Sequence, residues 1–104
     1  MTVATSRAES FKILQERIKL SDLRSDSEFR ALLIESQALL ELSDQELADA
    51  IRVSRPTVNR WIRGRNLPHN ALRMPIFSWI SNQLAERANL VRLLTQRGAS
   101  SSAV

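Results

Sequence analysis

Residues 43–64 read SDQELADAIRVSRPTVNRWIRG, and this stretch decides how the centre of the chain folds. Ser43 followed three positions later by Glu46 has the pattern of a capping box, which predicts the start of a helix. Ser54 is a good N-cap for a second helix, and Pro56 suits its first turn because an N–H there has no partner inside the helix. The stretch therefore predicts two short helices that are joined by a tight turn and ended by a glycine.

Two helices in this arrangement must bury a small set of side chains between them. Small or apolar residues occupy the required positions, and one of them, Val53, fills the turn. The six residues are Leu47, Ala48, Ile51, Val53, Val58 and Trp61. The second helix is predicted from about Arg55 to Arg63, and its outward positions are polar: Arg55, Thr57, Asn59, Arg60 and Arg63. Arginine suits guanine edges and phosphates, and asparagine suits adenine edges. The outward face is therefore suited to nucleic acid.

The charge of the chain is strongly polarised. From Arg52 to Arg73 there are six arginines and no acidic residue. Residues 1–49 hold six Lys or Arg against ten Asp or Glu, a net charge of −4, whereas residues 50–104 hold nine Arg against Glu86 alone, a net charge of +8. Such a field steers a protein onto a polyanion with its basic side first. A nucleic acid is therefore the predicted partner, and the pair of helices favours double-stranded DNA.

Two further capping patterns precede this pair of helices. Ser6 with Glu9 predicts a helix near 7–20, and Ser25 starts another that keeps an apolar stripe as far as Leu42. The apolar stripe of helix 7–20 has three members: Phe11, Leu14 and Ile18. This stripe has two interpretations, since it can cover the core of the domain or form a seam with another subunit.

A long amphipathic helix is predicted over about 75–97, where apolar residues recur at helical spacing. Pro75 would remove a hydrogen bond from a helix that began at Asn70, so we expect a break there and a start at Met74 or Pro75. The helix is longer than a domain of this size normally buries. Its last turns are therefore the predicted dimer interface, formed by Leu90, Val91, Leu93 and Leu94.

The composition favours a small all-α protein without catalytic chemistry. The 104 residues include two glycines, three prolines, no tyrosine and no cysteine, and Leu, Ala, Arg, Glu and Gln are plentiful. No run approaches the roughly 20 apolar residues of a membrane span, so we expect a cytoplasmic protein that does not enter a membrane. His69 is the sole histidine, so we expect no metal site, no cofactor and no enzyme activity.

The chain is divided by composition into three parts. Residues 1–22 form an N-terminal extension with one helix, and residues 23–97 form the DNA-binding domain with its long C-terminal helix. Residues 98–104 are small and polar with nothing to bury, so we expect a disordered tail, and we expect the same of residues 1–6.

Residues from about 28 to 84 resemble the phage-repressor and Cro type of helix-turn-helix regulators, the XRE-like family. The resemblance is carried by 42–48, which read LSDQELA, by 53–61, which read VSRPTVNRW, and by Gly64 and Pro68. It implies a lambda-repressor-like bundle of about five helices, here with an extra N-terminal helix and a long C-terminal helix. It also implies a homodimer that binds operator DNA through a recognition helix in the major groove.

The resemblance assigns DNA contacts by position. The residues that fall where such proteins touch bases or nearby phosphates are Arg55, Pro56, Thr57, Asn59 and Arg60, and those that fall on the DNA backbone are Arg63 and Arg65. From their place at the turn and at the helix starts we add Arg52, Ser54 and Gln45 to the predicted DNA-binding residues, and Arg73 as a further phosphate contact.

Three residues depart from the family pattern. Arg52 stands where the turn usually has glycine, so either Arg52 is left-handed, at a cost of about 1 kcal/mol, or the turn differs. Asp44 stands where a DNA-contacting glutamine is common, with Gln45 next to it. A carboxylate is repelled by phosphate, so Asp44 is expected to serve the helix terminus. Ile62 replaces an acidic residue and is expected to add an apolar contact.

The sequence also allows functions other than that of a transcriptional regulator. The main alternative is a protein-binding antitoxin or anti-activator, built on the same scaffold, that holds its partner through helix 7–20 or helix 75–97. RNA binding is disfavoured because exposed aromatic side chains, which stack on single-stranded bases, are lacking around the basic run. Trp61 and Trp79 lie at inward helical positions and are expected in the core.

Overall fold

The computed structural model describes the backbone of residues 6–102 and the side chains up to Thr95. It contains five helices and no strand within that range, which confirms the predicted all-α helix-turn-helix bundle. The helices are α1 (Arg7–Leu20), α2 (Asp26–Leu39), α3 (Asp44–Ile51), α4 (Arg55–Ile62) and α5 (Asn70–Ser102). No helix in this part of the chain is long and apolar enough to cross a membrane.

The first four helices begin at serine N-caps, as the sequence predicts. Each serine side chain accepts a hydrogen bond from the backbone N–H three residues on, and these N-caps are Ser6, Ser25, Ser43 and Ser54. At the start of α3 the bond is reciprocal, because the Glu46 side chain also accepts from the Ser43 backbone N–H. Backbone N–H groups in the first turns, which have no acceptor inside their own helix, are thereby satisfied within the chain.

Helices α2, α3 and α4 end in the same way. A residue with positive φ follows each of them: Glu41 (φ 56°), Arg52 (φ 61°) and Gly64 (φ 77°). After each, the next backbone N–H bonds five residues back, for example Val53 to the Ala48 carbonyl at 2.9 Å. This is the Schellman arrangement, which satisfies carbonyl groups that the helix itself cannot pair.

Phe29 on α2 lies at the centre of the core and is fully buried. Its ring makes edge-to-face contacts with Trp61 of α4 at 6.3 Å and with Phe77 of α5 at 5.5 Å between ring centroids. Such pairs add about 0.5–1.5 kcal/mol beyond the burial of their area. The aromatic cluster therefore fixes α4 against the two helices that flank it.

Helix α1 packs chiefly against α5. Its predicted apolar stripe of Phe11, Leu14 and Ile18 is buried within a single chain. The stripe therefore covers the core of the domain, which decides between the two interpretations of helix 7–20. Two other apolar residues of α1, Ile13 and Leu20, remain exposed.

Helix α5 begins at Asn70, so the predicted start at Met74 or Pro75 was wrong. Pro75 lies inside the helix and leaves the Ala71 carbonyl without its usual donor. The early start is supported from outside the helix, since the Ala71 N–H donates to Nδ1 of His69 at 3.1 Å. The imidazole of His69 thus acts as an N-cap that the sequence analysis did not identify.

The backbone of α5 continues to Ser102, past the predicted end near Arg97. Residues 98–102 of the expected disordered tail are thus helical backbone, whereas residues 103–104 lie outside the described part of the chain. The expectation of disorder over 1–6 also falls mostly outside that part, because the description begins at Ser6.

Arg73 is buried, which corrects its predicted role as a phosphate contact. Its guanidinium donates to the carbonyls of Pro68 (2.9 Å), Leu23 (2.9 Å) and Arg24 (3.1 Å), and it pairs with Asp26 at 2.7 Å. These partners follow α1, begin α2 and precede α5, so Arg73 holds three segments together. A contact with the DNA backbone would need this side chain to be exposed to solvent, but Arg73 is buried.

Candidate nucleic-acid interface

Helices α3 and α4 pack closely because the residues between them are small or fit the contact. Ala48 and Val58 are fully buried, and Leu47 and Trp61 are nearly so. Ile51 and Val53 lie half-buried at the edge of the same contact. All six predicted inward positions therefore face the protein, and the opposite side of α4 is left to solvent.

The turn between α3 and α4 is made by a left-handed arginine. Arg52 has φ 61° and ψ 47°, so the first of the two alternatives for this turn is correct. An L-residue in this conformation costs about 1 kcal/mol relative to glycine. The side chain of Arg52 is exposed. Glycine would give the same backbone conformation, but it would lack the cationic group that Arg52 provides at the turn.

Hydroxyl groups organise the first turn of α4. Ser54 Oγ accepts from the Thr57 N–H at 3.2 Å, and the two hydroxyl groups lie 2.7 Å apart. Thr57 Oγ1 in turn accepts from Arg60 Nη2 at 3.4 Å. Ser54 and Thr57 therefore act within the protein as a cap and as a support for Arg60, in addition to the DNA contacts predicted for them.

Five arginines give this side of the molecule its charge. All are exposed, and none forms an ion pair with any side chain that the structure describes: Arg52, Arg55, Arg60, Arg63 and Arg65. The described ion pairs involve basic residues elsewhere on the protein, such as Arg17 with Glu35 at 2.7 Å. The positive charge around α4 is therefore uncompensated, as a surface for polyanions requires.

A shallow concavity brings α3 and α4 together at this surface. It is lined by Gln45, Arg55, Pro56, Asn59 and Arg63, all of which were predicted to bind DNA. Gln45 comes from the first turn of α3, where its side-chain amide donates to Asp49 Oδ1 at 2.8 Å. The sequence analysis therefore predicted a set of residues that the fold places side by side.

Asp44 lies in the first turn of α3, as expected for an acidic residue that serves a helix terminus. It is also half-buried, and it accepts two hydrogen bonds that the sequence did not predict. Its Oδ1 accepts from Gln37 Nε2 at 2.5 Å, and its Oδ2 accepts from Asn59 Nδ2 at 3.3 Å. The half-buried Asn59 is therefore held partly by the protein itself.

Sequence reasoning missed Arg30 on α2. Its Nε donates to the carbonyl of Ile62 at 2.6 Å, at the C-terminal end of α4. A cation at that end of a helix also interacts favourably with the helix dipole. The same side chain lies beside Gly64, where a Cβ atom would come within 3.5 Å of it. No local sequence pattern could predict this contact, because Arg30 and Ile62 are 32 positions apart.

Two acidic groups near helix starts have shifted acidities. Hydrogen bonds from the backbone and side chain of Ser43 lower the pKa of Glu46 below its ordinary value. Hydrogen bonds from the side chain and backbone of Arg24 likewise lower the pKa of Asp22. Both groups favour their charged forms in the folded state, and neither belongs to the concavity. No group of three metal-ligating side chains occurs anywhere in the described residues.

Comparison with known proteins identifies the central segment. Residues 37–70 match the family model described as helix-turn-helix. No curated protein and no solved structure matches the chain significantly. The match covers α3, the turn and α4 together with the loop that follows, and it confirms the resemblance given by the sequence. Residues 37–70 are therefore a helix-turn-helix that is similar to those of the XRE type, the class of the phage repressors and Cro.

Proposed function

We propose that the protein is a sequence-specific transcriptional regulator of bacterial or phage type that binds operator DNA through α4. The observation that carries the proposal is the two-sided character of this helix. Val58 and Trp61 are buried on one side, and Arg55, Arg60 and Arg63 are exposed and free of described ion pairs on the other. A helix of this kind fits the major groove, which is wide enough to admit it.

We divide the residues of this surface into two groups by the part of DNA that each is proposed to contact. We assign base contacts to the outward face of α4, through Arg55, Thr57, Asn59 and Arg60. We assign phosphate contacts to its two ends and to α3, through Arg52, Ser54, Arg63, Arg65 and Gln45. Pro56 has no N–H to donate, so its contact with DNA is limited to van der Waals packing. Phosphate contacts supply affinity that is independent of sequence, whereas contacts to base edges supply discrimination.

The proposal includes a homodimer. Two recognition helices would then read half-sites about 34 Å apart, one turn of the DNA helix. The predicted interface on α5 contains Leu90 (53% exposed), Leu93 (56%) and Leu94 (58%), with Val91 half-buried beside them. Apolar side chains this exposed on one stretch of a long helix support contact with a second copy.

The experiment that tests the proposal is footprinting on DNA next to the coding gene, repeated at several salt concentrations. We expect protection of a two-fold symmetric site and an affinity that falls steeply with salt. Protection that is uniform along the DNA would contradict sequence-specific binding. A probe that stays free at low salt, together with a co-purifying protein, would instead favour the antitoxin or anti-activator alternative.

A further inference from the structure

We infer that Asp44 sets which bases the recognition helix accepts, by fixing the side-chain amide of Asn59. The inference rests on the proposed function and concerns one position of the DNA site. It assigns Asp44 a positioning role for a residue that itself touches a base. The partner at that position is a base that presents an amino group in the major groove, adenine or cytosine.

The carboxylate of Asp44 stands at the junction of three helices. It belongs to α3 and receives one donor from α2, Gln37, and one from α4, Asn59. Each of its two oxygens has its own donor, so neither donor competes with the other. Because Asp44 is half-buried, these bonds are less exposed to competition from water than those of a free surface carboxylate.

A carboxylate selects one orientation of an asparagine amide. An ionised carboxylate only accepts hydrogen bonds, whereas an amide has a donating NH₂ end and an accepting oxygen end. Asp44 Oδ2 therefore holds the Nδ2 end of Asn59, and Oδ1 of the amide is turned away from it. Asn59 also lines the surface concavity between Arg55 and Arg63. The amide thus connects the carboxylate with the surface that DNA would meet.

A fixed amide discriminates between bases better than a free one. An amide that presents its oxygen accepts from the amino group of adenine N6 or cytosine N4 in the major groove, and the second N–H of Nδ2 remains for adenine N7. A free amide can turn over and donate to guanine or thymine instead. Asp44 removes that second orientation and therefore favours amino-bearing bases.

The carboxylate also opposes binding in general, since it places a negative charge beside the arginines. Its removal should therefore strengthen binding to every sequence while it weakens discrimination. The first effect leaves specificity unchanged and the second lowers it, so a measurement of affinity and of base preference separates the two. Asp49 supplies a matched control on the same helix, because it carries the same charge, is exposed and contacts Gln45 instead of Asn59.

The test selects bound sequences from a randomised DNA library with the full chain, Asp44→Asn and Asp49→Asn. An asparagine at position 44 has one accepting end and cannot receive both donors on separate oxygens. We expect its preference for adenine or cytosine at one position to fall by roughly fivefold or more, the value of one good base contact. We expect Asp49→Asn to bind all sequences more tightly with unchanged preferences.

The same substitution is then made in the Asn59→Ala variant. There, Asp44→Asn should cause no further change of preference, because the side chain through which it acts is gone. An unchanged preference in Asp44→Asn alone, or a further change in the Asn59→Ala background, overturns the inference and leaves the proposed function intact. Wild-type protein that enriches no sequence overturns both.

A measurement on the DNA-free protein guards against a variant that folds poorly. By NMR, one side-chain amide proton of Asn59 should be shifted downfield by its charged acceptor, and the shift should be lost in Asp44→Asn but kept in Asp49→Asn. The same amide signals in all three proteins would overturn the inference.

Discussion

Arg63 and Arg73 belong to the same acid-free run of sequence, yet they occupy opposite environments. Arg63 ends the recognition helix, is exposed and has no described ion pair. Arg73 is 5% exposed, and its guanidinium is occupied by three carbonyls and Asp26. One arginine is available to DNA, and the other holds the fold together.

A run of like charge is therefore not one functional unit. Both arginines lie in the same acid-free run, but only Arg73 donates to carbonyls of the segments that precede α2 and α5. A buried guanidinium presents five N–H donors in a rigid planar fork and can satisfy several carbonyls at once, whereas a lysine ammonium has only three donors. Function and stability can therefore be separated within this run by single substitutions.

Arg73→Ala should have the largest effect, and on stability. Three carbonyls lose their donor and the contact with the Phe29 ring, 5.0 Å away, is lost, so we expect the free energy of unfolding to fall by about 3 kcal/mol. Asp26 is well exposed and can regain water, which limits the cost. Urea denaturation measures the change. A stable Arg73→Ala protein with weakened DNA binding would instead make Arg73 a phosphate contact.

Arg60→Ala should reduce discrimination between DNA sequences. Arg60 is exposed in the last turn of α4 and donates a hydrogen bond to Thr57, so we expect it to contact a base. Competition gel-shifts against single-base variants of the site should show a loss of about 1–3 kcal/mol at one base pair. Equal weakening on specific and random DNA would remove Arg60 from base readout.

Arg63→Ala should weaken binding to all sequences by a similar factor. Loss of one phosphate contact lowers the slope of log affinity against log salt by about one, and the free energy of unfolding should change by less than about 0.5 kcal/mol. Arg17→Ala is the matched control, because it removes the same charge from α1, where Arg17 pairs with Glu35. An equal change of slope in both variants would show a general charge effect and no contact.

The parts of the structure that follow from local rules were predictable from sequence. The starts of α3 and α4 depend on Ser43 and Ser54 and on side chains within three residues of them. The inward positions of α3 and α4 follow from helical spacing. Because the candidate interface lies on these two helices, all five residues that line its concavity were predicted.

The parts that depend on distant partners were not predictable. Arg73 meets the Leu23 carbonyl 50 positions away, and Arg30 meets the Ile62 carbonyl 32 positions away. The start of α5 was missed for the same reason, since Pro75 argues locally against a helix there while Arg73 anchors its first turns. Asn59 and Asp44, 15 positions apart, meet only because α3 and α4 cross.

Arg52→Gly should affect stability and DNA binding in opposite directions. Glycine removes the strain of the left-handed turn, so the free energy of unfolding should rise by about 1 kcal/mol, while loss of the cation lowers affinity for all DNA. Glu41→Gly is the control, because Glu41 has a similar φ of 56° and pairs with Arg7 of α1. It should gain stability without losing affinity. Weaker DNA binding in both variants would contradict the role of Arg52.

The smallest expected effect is the acid sensitivity of the α3 start. Hydrogen bonds from Ser43 lower the folded-state pKa of Glu46 below its ordinary value of 4.5. A group whose pKa is lowered by folding stabilises the protein above its unfolded value, and this stabilisation is lost as the pH falls through the folded value. Glu46→Gln keeps a side chain that can accept from the Ser43 N–H but does not titrate. The melting temperatures of wild type and Glu46→Gln are compared by circular dichroism. As the pH falls below 4.5, the melting temperature of the wild type should fall relative to that of Glu46→Gln. A difference that stays constant with pH would show that the capping bond does not depend on the charge of Glu46.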